Sequence, residues 1–219
     1  MSQNKNTHKN IHKNTHKKIL GILGAGQLAQ LISHRAYQLG VETLCFAEIL
    51  SNNSDIDLDE YIKTFPASRV SPIFVGDLQN KEDLAKFASK VDFITLENEN
   101  VPVDSLHYLQ SLYSKSDSKL YQKLYQKLYP SIASVRAAQD RLYEKQLFAK
   151  LDIPVGEFIE ISSIDDLNKI VDYLNTSISL SGEVLCGILK TRRFGYDGKG
   201  QARVSLSKDD SVDNNLNKL

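Results

Sequence analysis

The chain has 219 residues, 41% of them hydrophobic, and its 27 Lys+Arg balance 27 Asp+Glu. That length is too great for a disulfide miniprotein and fits one medium domain or two small ones, while zero net charge removes the general electrostatic case for a nucleic-acid binder. No run approaches the roughly 20 apolar residues of a membrane span, and residues 1–18 lack the apolar core of a signal peptide, so a soluble, cytoplasmic protein is expected, without membrane or nucleic-acid partners.

In chain order, residues 1–17 read as a low-complexity tail. His8, His12 and His16 recur every four residues and would line one helical face as metal ligands. Asn and Thr between them are weak helix formers, so a disordered extension is expected instead. Residues 1–18 also hold five lysines and no acid, which leaves the remaining body mildly acidic.

Ile19 to Leu23 is an apolar run ending in Gly24-Ala25-Gly26, a buried strand and tight turn. Gln27 to Leu39 follows as a helix with Leu28, Leu31, Ile32, Ala36 and Leu39 on one face, and Gly40 is a good stop. Val41 to Ala47 is a second strand, with Glu48 at its carboxyl end, and Pro72 to Val75 a third. A helix with Leu84, Phe87 and Ala88 inward leads to a fourth strand, Val91 to Leu96, ending in Glu97-Asn98-Glu99-Asn100. Cys45 and Cys186 lie far apart in separate apolar runs, which fits a reducing compartment better than a disulfide. This succession predicts an α/β fold, a mainly parallel sheet covered by helices. Ligands of such sheets sit beyond the carboxyl ends of the strands, where Gly24–Gln27, Glu48 and Glu97–Asn100 fall.

Lys119-Leu120-Tyr121-Gln122 then repeats to Tyr129 and reads as an expanded surface connection. The boundary between two regions is placed near residue 130. A helix from about Ala133 to Leu151 stops at Asp152-Ile153-Pro154. Another opens at Ser163-Ile164-Asp165-Asp166, with Leu167, Ile170, Val171 and Leu174 as its apolar face. Val184 to Leu189, a polar Gly-rich loop over Thr191 to Gly200, and Gln201 to Leu206 read as a hairpin.

Two glycine loops carry the chemistry. Gly24-Ala25-Gly26-Gln27-Leu28-Ala29 satisfies G-x-G-x-x-A, with the acidic Glu48 at the end of the next strand. Glycines let a backbone approach a pyrophosphate, a helix N-terminus offers free N–H groups, and the acid takes a ribose hydroxyl. A nicotinamide or flavin cofactor and another phosphate-bearing ligand both fit this loop. In the second loop, Lys190, Arg192, Arg193 and Lys199 lie within ten residues, with Gly195, Gly198 and Gly200 among them. Such a loop folds over a polyphosphate while its cations offset charge as a phosphoryl group leaves. It is not a Walker A loop, because G-x-x-x-x-G-K-[ST] is absent.

Lys190 to Gln201 resembles the phosphate-covering loop of the ATP-grasp enzymes, and more narrowly that of the 5-(carboxyamino)imidazole ribonucleotide synthases of purine synthesis. Gly21 to Leu28, Glu97 to Pro102 and Ala138 to Lys145 match the same family in order and approximate spacing. The resemblance implies a Rossmann-like preATP-grasp domain over residues 18–130 and the start of an ATP-grasp domain over 131–219. It further implies ATP-dependent carboxylation of 5-aminoimidazole ribonucleotide with bicarbonate, through carboxyphosphate, with magnesium required and a homodimer usual. By the same resemblance Arg141, Lys190 and the loop Gly195, Tyr196, Asp197, Gly198, Lys199, Gly200 and Gln201 bind ATP. Gln27, Glu97, Tyr196 and Lys199 face the ribonucleotide or bicarbonate, with Tyr196 and Lys199 as the catalytic pair. The first loop then serves the ribonucleotide, and Glu48 has no ribose to hold.

Phe194 stands where many family members carry a glycine, and Asn98 where an apolar or aromatic residue is usual. Only 18 residues follow Gln201, and Asp209, Asp210 and Asp213 among them lack a strand to support a magnesium site. The expectation is therefore an incomplete N-terminal part that does not turn over alone, with the metal ligands lying in a missing C-terminal part. The alternatives are a non-catalytic nucleotide-binding module and an NAD(P)-binding oxidoreductase.

Overall fold

Strand β1 (Ile19–Leu23) is apolar along its length and becomes fully buried toward its carboxyl end, where Ile22 and Leu23 are almost wholly shielded from solvent. It is central because strands flank it on both sides. β2 (Glu42–Glu48) pairs with it in parallel from Ile19↔Glu42 to Leu23↔Phe46, and β4 (Phe93–Leu96) from Leu20↔Phe93 to Leu23↔Leu96. β3 (Ile73–Gly76) adds to β2, giving the all-parallel order β3-β2-β1-β4. The parallel sheet expected from the sequence is thus present. The computed structural model describes residues 17–49, 57–113, 127–166, 168, 185–195 and 199–206. It falls into two compact units, Met1–Pro130 and Ser131–Leu219.

Both faces of the sheet are covered. On one, Ile22, Cys45 and Ala47 meet Ala25 and Ala29 of the glycine turn and helix α1 (Gln27–Gln38), with Ala67 from a single 3-10 turn (Pro66–Arg69). On the other, Phe46, Phe74 and Phe87 form an aromatic cluster with ring centroids 5.3–5.7 Å apart. Phe87, Leu84 and Ala88 face inward from helix α3 (Lys81–Ala88), as the sequence indicates. Burying one such large apolar side chain contributes about 1.5–3 kcal/mol. The Cys45 thiol lies wholly in this core, and burial pushes its pKa up, which makes it a packing group rather than a nucleophile. Glu48 ends β2 on the surface, where its backbone carbonyl accepts from the Tyr61 hydroxyl at 2.9 Å.

Several expectations need correction. The inward face of α1 is Ala29, Ser33 and Ala36, whereas Leu28, Leu31 and Leu39 are 54%, 63% and 67% exposed. The helix lies so close to β2 that the Ser33 Oγ and Cys45 Sγ stand 3.6 Å apart, a separation only small side chains permit. Helix α2 (Leu58–Thr64), capped by the Asp57 carboxylate, and helix α4 (Val103–Tyr113) were not read from the sequence. The last repeat unit is no surface connection: Leu128 is buried, and Lys127–Tyr129 exchanges backbone hydrogen bonds with Ile94 beside β4. Residues 119–126 and the histidines of the tail lie outside the described residues.

In the second unit the single helix expected over 133–151 is two, α5 (Ile132–Gln139) and α6 (Arg141–Lys150). Asp140 breaks them with an extended backbone (φ −127°, ψ 106°), and its carboxylate caps α6. β5 (Leu185–Lys190) and β6 (Gln201–Leu206) form the expected antiparallel hairpin, registered from Leu185↔Leu206 to Lys190↔Gln201. Residues 164–166 are helical, with the Asp166 N–H donating to Ser163 Oγ at 3.1 Å; Leu167, Ile170, Val171 and Leu174 lie outside the described residues.

Candidate functional site

Each unit presents one of the glycine loops. In the first, the carboxyl ends of β1 and β4 are adjacent, so the chain leaving β1 turns beside Glu97. The Glu97 N–H donates to the Leu23 carbonyl at 2.9 Å and the Gly24 N–H to the Phe46 carbonyl at 3.0 Å. Gly24 has φ +123°, a conformation L side chains rarely adopt, and a Cβ there would strike Glu97 Cβ. Gly26, the N-cap of α1, donates its N–H to Glu97 Oε2 at 2.7 Å, and a Cβ there would strike the same carboxylate.

The glycines therefore make room for a carboxylate of the chain itself. A helix N-terminus carries partial positive charge and unsatisfied N–H groups, which attract an anion, and here Glu97 is that anion. A dinucleotide pyrophosphate would need the same donor and the same volume. Gln27, the first residue of α1, is exposed next to this pair. Asn98, unusual by resemblance, has a local role: its side-chain oxygen accepts the Asn100 N–H at 2.9 Å and turns the chain after β4.

In the second unit, Lys190 ends β5 and Gln201 begins β6 directly opposite it, both exposed. The mouth of the loop is closed by the Thr191 N–H donating to the Gly200 carbonyl at 2.8 Å. Gly200 has φ +67° and packs on the Thr191 side chain so closely that a Cβ would collide with Thr191 Oγ1. Gly195 and Lys199 are described near this mouth, whereas Tyr196, Asp197 and Gly198 lie outside the described residues. Phe194 adopts φ +60° and is 75% exposed. A glycine takes that conformation without strain.

Arg141 is the first residue of α6, with its side chain exposed, and its N–H donates to the Arg192 carbonyl at 2.9 Å. The loop root is thus bonded directly to the helix that presents Arg141. The four cations of the loop are not equivalent, as the sequence alone suggests. Arg192 turns back onto Asp140, Nε to Oδ1 at 3.2 Å and Nη2 to Oδ2 at 2.8 Å, and reaches Glu160 through Nη1 at 3.0 Å. Arg193 Nε lies 3.5 Å from the same Asp140 Oδ2. The Arg192 bonds hold the Asp140 carboxyl below its usual range. Asp140, at 6% exposure, is the residue the sequence reading passed over. An acid placed as N-cap between two helical stretches was the available signal.

Among the described residues no three His, Cys, Asp or Glu side chains stand together as a metal site. Asp209, Asp210 and Asp213 lie outside them, so the described residues do not fit a magnesium ion. No helix among the described residues is long and apolar enough to cross a membrane.

Residues 17–115 match the ribonucleotide synthetase preATP-grasp domain. The chain is 30% identical over 182 residues to the N5-carboxyaminoimidazole ribonucleotide synthase of Pseudomonas aeruginosa, an alignment covering 83% of this chain and 41% of that protein. Among solved structures it resembles the N5-carboxyaminoimidazole ribonucleotide synthetase of Thermus thermophilus, with TM-score 0.60, 27% identity, and coverage of 90% of this chain and 42% of that one. It also has the fold of the Staphylococcus aureus N5-carboxyaminoimidazole synthetase complexed with ADP, with TM-score 0.63, 23% identity, and coverage of 92% and 43%. The chain thus spans about two fifths of the length of these relatives.

Proposed function

Starting from a chain whose residues 17–115 match the ribonucleotide synthetase preATP-grasp domain, we propose that it is the nucleotide- and ribonucleotide-binding portion of an ATP-dependent carboxylase. The substrates are ATP, bicarbonate and 5-aminoimidazole ribonucleotide, and the product is the N5-carboxyamino ribonucleotide of purine synthesis. A bicarbonate oxygen attacks the γ-phosphoryl group and ADP leaves. The resulting carboxyphosphate yields carbon dioxide to the exocyclic amine, and phosphate is released. Little covalent work falls to the protein, which must align three ligands and keep water from the intermediate.

The observation that carries this reading is the placement of Glu97. Its carboxylate fills the glycine turn that an NAD-type pyrophosphate would need, which favours the ribonucleotide and leaves Gln27 and Glu97 as its contacts. Lys190, Arg141 and the loop from Gly195 to Gln201 bind ATP in this reading, with Tyr196 and Lys199 beside the bicarbonate. Magnesium, if bound, would neutralise the ATP phosphates; the described residues hold no cluster of three His, Cys, Asp or Glu side chains for it. A cytoplasmic location and a homodimer belong to the same reading.

The test is calorimetric titration with ATP. Saturable binding is expected, falling about tenfold or more in Lys190→Ala, which removes a charge-assisted contact to phosphate. Binding of NADH, seen as fluorescence quenching, in a chain that ignores ATP would overturn the proposal.

A further inference from the structure

We propose that Asp140 is a positioning residue for the phosphate loop, acting through Arg192, and that Arg192 is a tether rather than a phosphate ligand. The proposal rests on the ATP-binding reading of this loop and assigns a division of labour among its cations. Asp140 does two things with one carboxylate. It caps α6 by accepting the Leu142 and Tyr143 N–H groups at 3.1 and 3.3 Å, and it receives the Arg192 guanidinium through two nitrogens. The Arg141 N–H closes the circuit on the Arg192 carbonyl. Helix α6, with Arg141 at its first turn, and the root of the loop are thereby locked as one piece.

An isolated surface ion pair adds little, but this one differs in two respects. Its acid is nearly buried, at 6% exposure, and its geometry is two-pronged, which adds directional strength. Arg192 also binds Glu160 at 3.0 Å, so its guanidinium is committed to two carboxylates of its own unit. A phosphate would have to compete with both. Lys190 and Lys199 stand at the mouth of the loop instead.

Asp140→Asn separates the two roles, because Asn caps helices as well as Asp but cannot form the charged clamp. Thermal stability close to wild type is expected, with ATP affinity about tenfold lower. Arg192→Gln is expected to show the same loss, and the double variant no further loss, as two parts of one contact require. Without any ligand, hydrogen exchange of the Arg141 amide should quicken in both variants. If Arg192 were a phosphate ligand, Asp140→Asn would free it and leave ATP affinity unchanged or tighter, while Arg192→Gln alone would weaken it; that result overturns the proposal. So does an Arg141 amide that stays protected in both variants. A wild-type chain that binds no ATP overturns the function proposed above together with the positioning role. That outcome is distinct from failure of the clamp alone, in which wild type and Asp140→Asn bind equally.

Discussion

Single side chains shape the two glycine loops. Gly24 cannot be replaced without two penalties, one from its positive φ and one from contact with Glu97. Gly24→Ala is expected to destabilise the chain by more than about 1 kcal/mol, read as a lower denaturation midpoint in urea; an unchanged midpoint would contradict the packing described. Phe194 is the reverse case, a bulky residue held at φ +60° with its ring in solvent. Left-handed backbone costs such a residue about 1–2 kcal/mol, while the extra chain entropy of glycine costs roughly 0.5–1 kcal/mol. Phe194→Gly should therefore raise stability by a few tenths to about 1 kcal/mol, and a drop in melting temperature would show that the exposed ring makes contacts elsewhere. The glycine motif itself was plain in the sequence. That its occupant is Glu97 was not, because a carboxylate 71 positions on is brought there only by the pairing of β4 with β1.

At the level of elements, periodicity located the strands of the parallel sheet and the hairpin. Ile32 and Ala36 of the α1 face it picked do pack inward, yet Leu28, Leu31 and Leu39 of that face are exposed. Leucine at helical spacing marks an apolar stripe, but closeness to the sheet selects the small residues Ala29, Ser33 and Ala36 for the contact. Periodicity also ran through Asp140, since helices on either side of a cap keep nearly the same apolar spacing. Helices α3 and α4 pack together, and Tyr113 at the end of α4 donates its hydroxyl to the Ala88 carbonyl at 3.1 Å. Burial, with a smaller contribution from the negative charge of Asp92, pushes the Tyr113 pKa up to about 12. The folded state thus holds the phenol proton more tightly than the unfolded chain, whose tyrosines titrate near ~10. The stability this contributes is complete below that value and is lost as pH rises toward 12. Tyr113→Phe should be slightly less stable at neutral pH, through loss of one hydrogen bond, and should lose less on going to alkaline pH. Parallel alkaline denaturation curves for the two proteins would refute the buried phenol. Asp140 has the opposite sign. Its carboxyl pKa is lowered in the folded state, so the clamp is present at neutral pH and is lost only as pH falls below the ordinary carboxylate range.

On the scale of the whole chain, each of two units carries one glycine loop: a doubly covered parallel sheet with Gln27 and Glu97, and a hairpin whose loop starts after Lys190. The resemblance was legible because its motifs are local strings of residues. The Asp140–Arg192 clamp was not, because its partners lie 52 positions apart and meet only when the hairpin folds beside α6. Neither net charge nor the count of cations distinguishes a lysine at the mouth of a loop from an arginine tied to two acids.

The central claim is that the first glycine loop, filled by Glu97, serves a ribonucleotide and not a dinucleotide. Calorimetric titration of the chain with 5-aminoimidazole ribonucleotide, and with NADH in parallel, tests it most directly. The account predicts saturable ribonucleotide binding that weakens about tenfold or more in Gln27→Ala, and no heat from NADH. Binding of NADH with no binding of the ribonucleotide would contradict it.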